Sequence, residues 1–180
     1  MLNKSLTNLL IKNKKNISNS RIICIGDIIL DNYINGKIER ISPEAPVPIL
    51  RMKNKKYEIG GAGNVVRNIS NMGAKTTLIC LSGNDQSSIT IKKLLDDIKN
   101  IKNICINVPN FKTPIKTRFI NGTKHLLRVD NEESNFKLIN KYKILIIKKF
   151  KKEIVKNDLV ILSDYDKGLL DKDLIKKIIK

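Results

Sequence analysis

Pro43, Pro46 and Pro48 crowd into the segment Arg40-Ile-Ser-Pro-Glu-Ala-Pro-Val-Pro48. Each lacks a backbone N–H and holds φ at about −65°, so this stretch is neither a helix interior nor a central strand. Twelve residues on, Gly60-Gly-Ala-Gly-Asn64 sets three glycines and an amide side chain where apolar periodicity begins. Glycine lets a ligand approach the backbone closely, and Asn64 offers a donor and an acceptor at the same point. A polyhydroxylated ligand suits such a surface better than a flat apolar one. A small sugar is the first expectation.

The chain has 180 residues and 41% apolar content, enough for one domain with a real core. Its formal charge of +18 would ordinarily point to nucleic acid or an anionic surface. Lysine supplies nearly all of that excess, scattered among Ile and Asn, and only six residues are Arg. Aromatics are 4%, so stacking platforms for single strands are scarce. Such a spread is what A+T-rich codons produce, and nucleic acid is not the expected partner. Cys24, Cys80 and Cys105 each lie in an apolar run that reads as a strand, with no zinc spacing. They read as buried free thiols of a reducing compartment. No metal site is expected. Met1 to Ser20 carries no apolar core of a signal peptide, and no stretch approaches a membrane span. A cytoplasmic protein without membrane partners is expected.

Residues 1–20 read as a polar extension with a short helix at Leu6–Lys12. Arg21–Gly26 is a continuous apolar run, as in a central parallel strand buried on both faces. Asn35-Gly36 and Asn121-Gly122 each predict a hairpin with a two-residue type I′ turn. Between and after them the pattern alternates. Helices are predicted at Asn64–Met72 (stopped by Gly73), Ser87–Lys99 and Phe136–Val155, with another starting at Asp171. Strands are predicted at Thr76–Leu81, Asn103–Val108 and Leu159–Ser163. The expected fold is α/β, a mostly parallel sheet flanked by helices. The hairpins do not fit inside that sheet, and a small antiparallel lid over the ligand site is expected from them. Asp171–Lys180 reads as an amphipathic helix with no cap, no Gly and no strand after it, as in a C-terminally truncated domain.

Gly26-Asp-Ile-Ile-Leu-Asp31, Arg40–Pro48, Gly60–Asn64 and Leu162-Ser-Asp-Tyr-Asp-Lys-Gly168 together resemble motifs of the ribokinase-like (PfkB) sugar kinases. Within them the chain is most similar to the N-terminal half of the heptose-7-phosphate kinases, whose signature Arg40–Pro48 resembles. The family usually has Pro where Ile59 stands, Ala where Gly63 stands and Gly where Asp166 stands. The resemblance runs from about Arg21 to Lys180, so residues 21–180 are expected to be the N-terminal part of such a kinase domain. It implies phosphorylation of the anomeric hydroxyl of a heptose 7-phosphate with ATP and Mg²⁺, on the way to ADP-heptose and the lipopolysaccharide core.

The substrate residues it implies are Asp31, Gly60, Gly61, Asn64, Lys116 and Arg118. Asp31 lies near the sheet's carboxyl edge, where open α/β folds bind ligands, and would take sugar hydroxyls. Asn64 would both cap the following helix and touch sugar. Lys116 and Arg118 share a strand face, and Arg meets phosphate oxygens with a fork that Lys cannot copy, so Arg118 ranks first. Glu44, Arg128, Asp164 and Lys167 are candidate cleft residues, with a turn role for Asp164 as the alternative. His125 reads as an exposed strand residue.

The catalytic base of the family lies in a Gly-Ala-Gly-Asp segment, which together with the nucleotide pocket is expected beyond Lys180; no catalytic residue is assigned here. The expected partners are a sugar phosphate, a second copy joined through the lid, or a chain supplying the C-terminal half. A non-catalytic binding or dimerisation module is the alternative function. If the charge is compositional, DNA and RNA should bind weakly, without sequence preference, and release in moderate salt. A gel-shift salt titration checks this; a sequence-specific complex that survives physiological salt would reverse it.

Overall fold

The computed structural model describes residues 13, 15–132 and 136–180. The helix expected at Leu6–Lys12 lies outside them. Strand β1 (Arg21–Gly26) sits inside a four-stranded sheet with β4 (Lys75–Gly83), β5 (Ile101–Val108) and β8 (Leu159–Ser163). The order is β5-β4-β1-β8 and every pairing is parallel. Alternation in β1 sends Ile23 and Ile25 to one face and Cys24 to the other, and all three are buried. Helices α1 (Ala62–Asn71) and α2 (Gln86–Asp96) cover the Cys24 face through Val66, Ile91 and Leu95. Helices α3 (Phe136–Ile154) and α4 (Lys172–Ile179) cover the other through Ile139, Ile146, Phe150 and Leu174. Ile17, from the last turn of the polar extension, packs against Ile22, Ile69 and Ala74.

Two aspartates set helix starts. Asp85 accepts from the Ser88 N–H at 2.8 Å and begins α2. Asp171 accepts from the Leu174 N–H at 2.8 Å and begins α4, so this helix is capped where the sequence reading saw no cap. β8 is one of the two outer strands of the sheet, and Phe150, Ile154, Val160, Leu162 and Ile178 line an apolar groove of about 560 Å³ beside it.

The second sheet holds β2 (Ile28–Ile41), β3 (Pro48–Gly61), β6 (Ile115–Asn121) and β7 (Lys124–Asn131), in the order β3-β2-β6-β7. It is mixed rather than antiparallel, because β2 and β6 pair in parallel. Both strands leave the core at the same level, where the Leu30 N–H donates to the Pro114 carbonyl at 2.9 Å. They therefore run outward together.

Asn35-Gly36 is not a turn. β2 passes straight through it, with a register shift against β3 between the two residues. A side chain at Gly36 would strike the Arg51 carbonyl and the Leu50 side chain. The hairpin closes instead across the proline-rich segment, where the Ser42 N–H donates to the Val47 carbonyl at 2.8 Å. Pro48 takes the first place of β3, where a missing N–H is tolerated. The second hairpin forms as expected, but its turn pair is Gly122-Thr123, flanked by Asn121 and Lys124, with Gly122 at φ 62°.

Ile59 and Gly63 depart from the family pattern together, and the packing couples them. A Cβ at Gly63 would collide with Cγ2 of buried Ile59. Gly63→Ala should therefore destabilise by about 1–3 kcal/mol, although alanine is the better helix former. Ile59→Ala should cost about 2–5 kcal/mol for the cavity it leaves. The double variant should lose less than the sum, measured by chemical denaturation as a double-mutant cycle. Additive losses would show the two positions to be independent.

Candidate functional site

The site is built where the two sheets meet. Only Asp27 separates β1 from β2, and it is buried. Its N–H donates to the Ser163 carbonyl at 3.1 Å, and its own carbonyl accepts from the Ala62 N–H at 2.9 Å. Its Oδ2 accepts from the N–H groups of Tyr165 (2.9 Å) and Lys167 (3.2 Å). One residue thus ties together the lid, the start of α1 and the loop after β8. Asp27 lies inside the Gly26–Asp31 motif but is not among the site residues expected from sequence. Its signal was position, a carboxylate directly after a fully apolar strand.

Gly61 makes that junction possible. It sits at φ 57°, and a Cβ there would strike the Asp27 carbonyl. Helix α1 begins at once with Ala62 and has no side-chain cap. Asn64 is therefore inside the first turn and does not cap the helix, contrary to expectation. Its Oδ1 accepts from Nη2 of Arg67 at 2.8 Å, which leaves the amide nitrogen to donate elsewhere. Arg67 also lies 3.8 Å from Glu58, and Glu58 meets Lys56 at 2.6 Å. The hydrogen bond from Lys56, only partly opposed by burial, lowers the Glu58 pKa.

Asp31 lies on β2, opposite Glu58 of β3 and Lys116 of β6. Its Oδ1 meets Nη1 of Arg118 at 2.5 Å, and both side chains are largely buried. The guanidinium also stacks on the Tyr33 ring, 5.2 Å from its centroid. Burial works against the charge of Arg118, but the hydrogen bond and charge of Asp31, with Tyr33 and Asp130, outweigh it and raise its pKa. Asp31 Oδ2 faces Gly60, where any Cβ would collide with it. The carboxylate is thus held by Arg118 through one oxygen, and the other lies against the Gly60 backbone.

Lys116 lies 3.7 Å from Asp130, whose other oxygen accepts from Arg128 Nε at 2.9 Å. Lys116, Arg118 and Arg128 thus share one lid face with two carboxylates. The remaining candidates sit elsewhere. Glu44 is exposed at the hairpin tip, beyond Ile41, and at strand rise Ile41 is roughly 30 Å from Asp31. Asp164 is exposed and accepts from the Asp166 N–H at 2.9 Å, which is the turn role. Lys167 reaches Glu132 at 2.7 Å, joining the loop after β8 to the residue that follows β7. His125 is an exposed residue of β7.

Residues 19–178 match the pfkB family of carbohydrate kinases. The chain belongs to that family. It is 38% identical over 162 residues to the bifunctional protein HldE of Granulibacter bethesdensis, covering 90% of this chain and 33% of that protein. It is 41% identical over 161 residues to the HldE of Sulfurimonas denitrificans, covering 88% of this chain and 33% of the relative. The chain thus spans about a third of the length of these curated relatives. Among solved structures, a carbohydrate kinase from Agrobacterium tumefaciens shares the fold with a TM-score of 0.60 at 18% identity, over 79% of this chain and 45% of that one. Arabidopsis thaliana ribokinase, complexed with ribose and ATP, does so with a TM-score of 0.52 at 14% identity, over 80% and 53%. No helix among the described residues of this pfkB-family chain is long and apolar enough to cross a membrane.

Burial raises the Asp27 pKa above its ordinary 3.8, more than the N–H groups of Tyr165 and Lys167 lower it, and the charge of Asp164 adds to the rise. Protonation of Asp27 therefore favours the folded state. That contribution is complete below about pH 3.8 and is lost as pH rises through the raised folded value. Asp27→Asn, which can still accept from both N–H groups, should match or exceed the wild type in stability at neutral pH. The wild type should gain on it as pH falls toward 3.8. Asp27→Ala should lose about 1–3 kcal/mol, because two N–H groups lose their acceptor. Thermal unfolding of the three proteins across pH checks this; a stability gap between wild type and Asp27→Asn that ignores pH would refute it.

Proposed function

We propose that the chain binds heptose 7-phosphate between the charged lid face and the Gly60–Asn64 segment. On this reading it is the sugar-side part of a kinase acting at the anomeric hydroxyl, with ATP and Mg²⁺, in the cytoplasm. The observation that carries it is the clamped carboxylate of Asp31, locked by Arg118 through one oxygen and set at the Gly60 backbone by the other. Oδ2 of Asp31 accepts from a sugar hydroxyl, and the Asn64 amide donates to a neighbouring one. Gly60 and Gly61 let the backbone lie close against Asp31 and Asp27, which brings both carboxylate-bearing residues to the segment. The phosphate goes to the cations. Because Arg118 is committed to Asp31, it positions the carboxylate, and Lys116 with its looser 3.7 Å partner becomes the leading phosphate contact. Arg128 supports it through their shared Asp130.

Among the described residues no cluster of His, Cys, Asp and Glu could hold a metal ion. The nucleotide segments that the family resemblance implies do not occur in this sequence. This reading therefore assigns no residue of the chain to ATP or Mg²⁺. A second reading, that two copies join through the lid, is favoured by Leu127 and Val129. They lie on the face opposite the cations and are 58% and 46% exposed. Lysine at both positions should then yield a monomer in sedimentation.

Calorimetric titration of heptose 7-phosphate tests the sugar site, on this chain and on the chain complemented by a relative's C-terminal kinase segment. Asp31→Ala and Asn64→Ala should each weaken binding about ten-fold or more, the loss of a hydrogen bond to a charged or buried group. Lys116→Ala should weaken the phosphorylated sugar and leave the unphosphorylated heptose unchanged. Equal affinities in all three variants and the wild type would place the site elsewhere.

A further inference from the structure

Cys80 of β4 and Cys105 of β5 are register partners on adjacent parallel strands, so their side chains leave the same face of the sheet. Neighbouring strands lie about 4.8 Å apart, inside the roughly 4.4–6.8 Å between Cα atoms that a disulfide spans. Both thiols are free, and they contact each other. Their surroundings differ. Cys80 is fully buried beneath α2 among Leu78, Ile91 and Leu95. Cys105 lines an opening of about 360 Å³ with Asn103, Asn107, Ser88 and Lys92. That opening is polar, and Asn103 Oδ1 is buried there without a hydrogen-bond partner. Ser82 Oγ accepts from Cys105 Sγ at 3.0 Å and is itself bonded to Ser88 and Asn107.

We infer that Cys105 and Cys80 form a reversible redox pair, with Cys105 attacking a hydroperoxide and Cys80 resolving it into an intrachain disulfide. The thiol contact with Cys80 holds the Cys105 pKa down against burial. The same contact and complete burial push Cys80 up, which suits a second, slower reactant. Cys105 loses its proton to solvent through the opening, and its thiolate attacks one peroxide oxygen. The O–O bond breaks, and the leaving alkoxide or hydroxide takes up a proton, leaving a sulfenic acid on Cys105. Cys80 then attacks that sulfur. The S–S bond forms, the S–O bond breaks, and the departing hydroxide leaves as water with the Cys80 proton. Two thiols are oxidised and one peroxide is reduced. Cys24 is excluded by register: it pairs with Leu78 in β1 and β4, not with either partner. The β-ladder on both sides of Cys80 leaves the disulfide little room to relax, so a dithiol should reduce it readily.

The test uses the purified reduced chain treated with hydrogen peroxide, acid-quenched, alkylated in denaturant and mapped by mass spectrometry. Alkylatable thiols should fall from three to one, with Cys24 remaining and a linked peptide pair carrying Cys80 and Cys105. Dithiothreitol should restore all three. In Cys80→Ala, dimedone should trap a sulfenic acid on Cys105. If that variant does not fold, wild-type treatment in urea is the control, because there Cys24 should join the cross-links. The pair is refuted if folded wild type keeps three alkylatable thiols, accumulates sulfinic acid on Cys105 with Cys80 still free, or links Cys24 or a second chain.

Discussion

The whole architecture hangs on the single residue between β1 and β2. At Asp27 the chain leaves a parallel sheet buried on both faces and enters a second sheet without a loop. A buried junction of that kind exposes polar backbone to an apolar interior unless every group finds a partner. Asp27 supplies the partners with its own amide, carbonyl and carboxylate, reaching Ser163, Ala62, Tyr165 and Lys167. Three segments far apart in sequence are thereby set at one point. That point is the floor of the candidate site.

Above the floor, the lid works through alternation. Odd and even positions of β2 and β6 part into a charged face with Asp31, Lys116 and Arg118 and an apolar one with Leu30 and Ile115. The apolar face joins the core near the junction and becomes exposed farther out, at Leu127 and Val129. The charged face is internally paired before any ligand arrives. On the proposed reading a sugar phosphate would compete with Asp130 for Lys116, whereas the Asp31–Arg118 pair would be kept. Pairing of this sort prevents three cations on one small surface from repelling each other, and it pre-orients the carboxylate.

The cysteine row belongs to the other layer of the molecule. It lies beneath α1 and α2, and Ser82 connects it to the end of β4. There the Gly83 N–H donates to Thr113 Oγ1, and Asp85 holds both Thr113 and the start of α2. Thr113 leads through Pro114 into β6, the strand that carries Lys116 and Arg118. The thiol pair and the candidate sugar site are thus linked through one short connection.

Much of the fold is legible in the chain itself, because it rests on local patterns. Unbroken apolar runs at Arg21–Gly26 and Leu159–Ser163 became parallel strands with those bounds, and Gly73 ended α1 at φ 99°. Asp31, Gly60 and Gly61 could be picked out from their motifs, and Lys116 and Arg118 as cations that alternation puts on one strand face. What could not be read depended on neighbours distant in sequence. Asn35-Gly36 has the composition of a turn, yet β3 and β6 pair on either side of it and hold it in a continuous strand, with the extra residue of the register shift, Lys53, on β3. Asn64 has the composition of a cap, yet Gly61 starts the helix earlier, because only glycine fits against the Asp27 carbonyl at φ 57°. Asp31 and Arg118 stand 87 residues apart, and nothing in either segment names the other. Sequence determined which segments would be strands and helices, since period and burial are local. Tertiary structure alone decided which charges meet, because the parallel register of β2 and β6 is set by the level at which both leave the core.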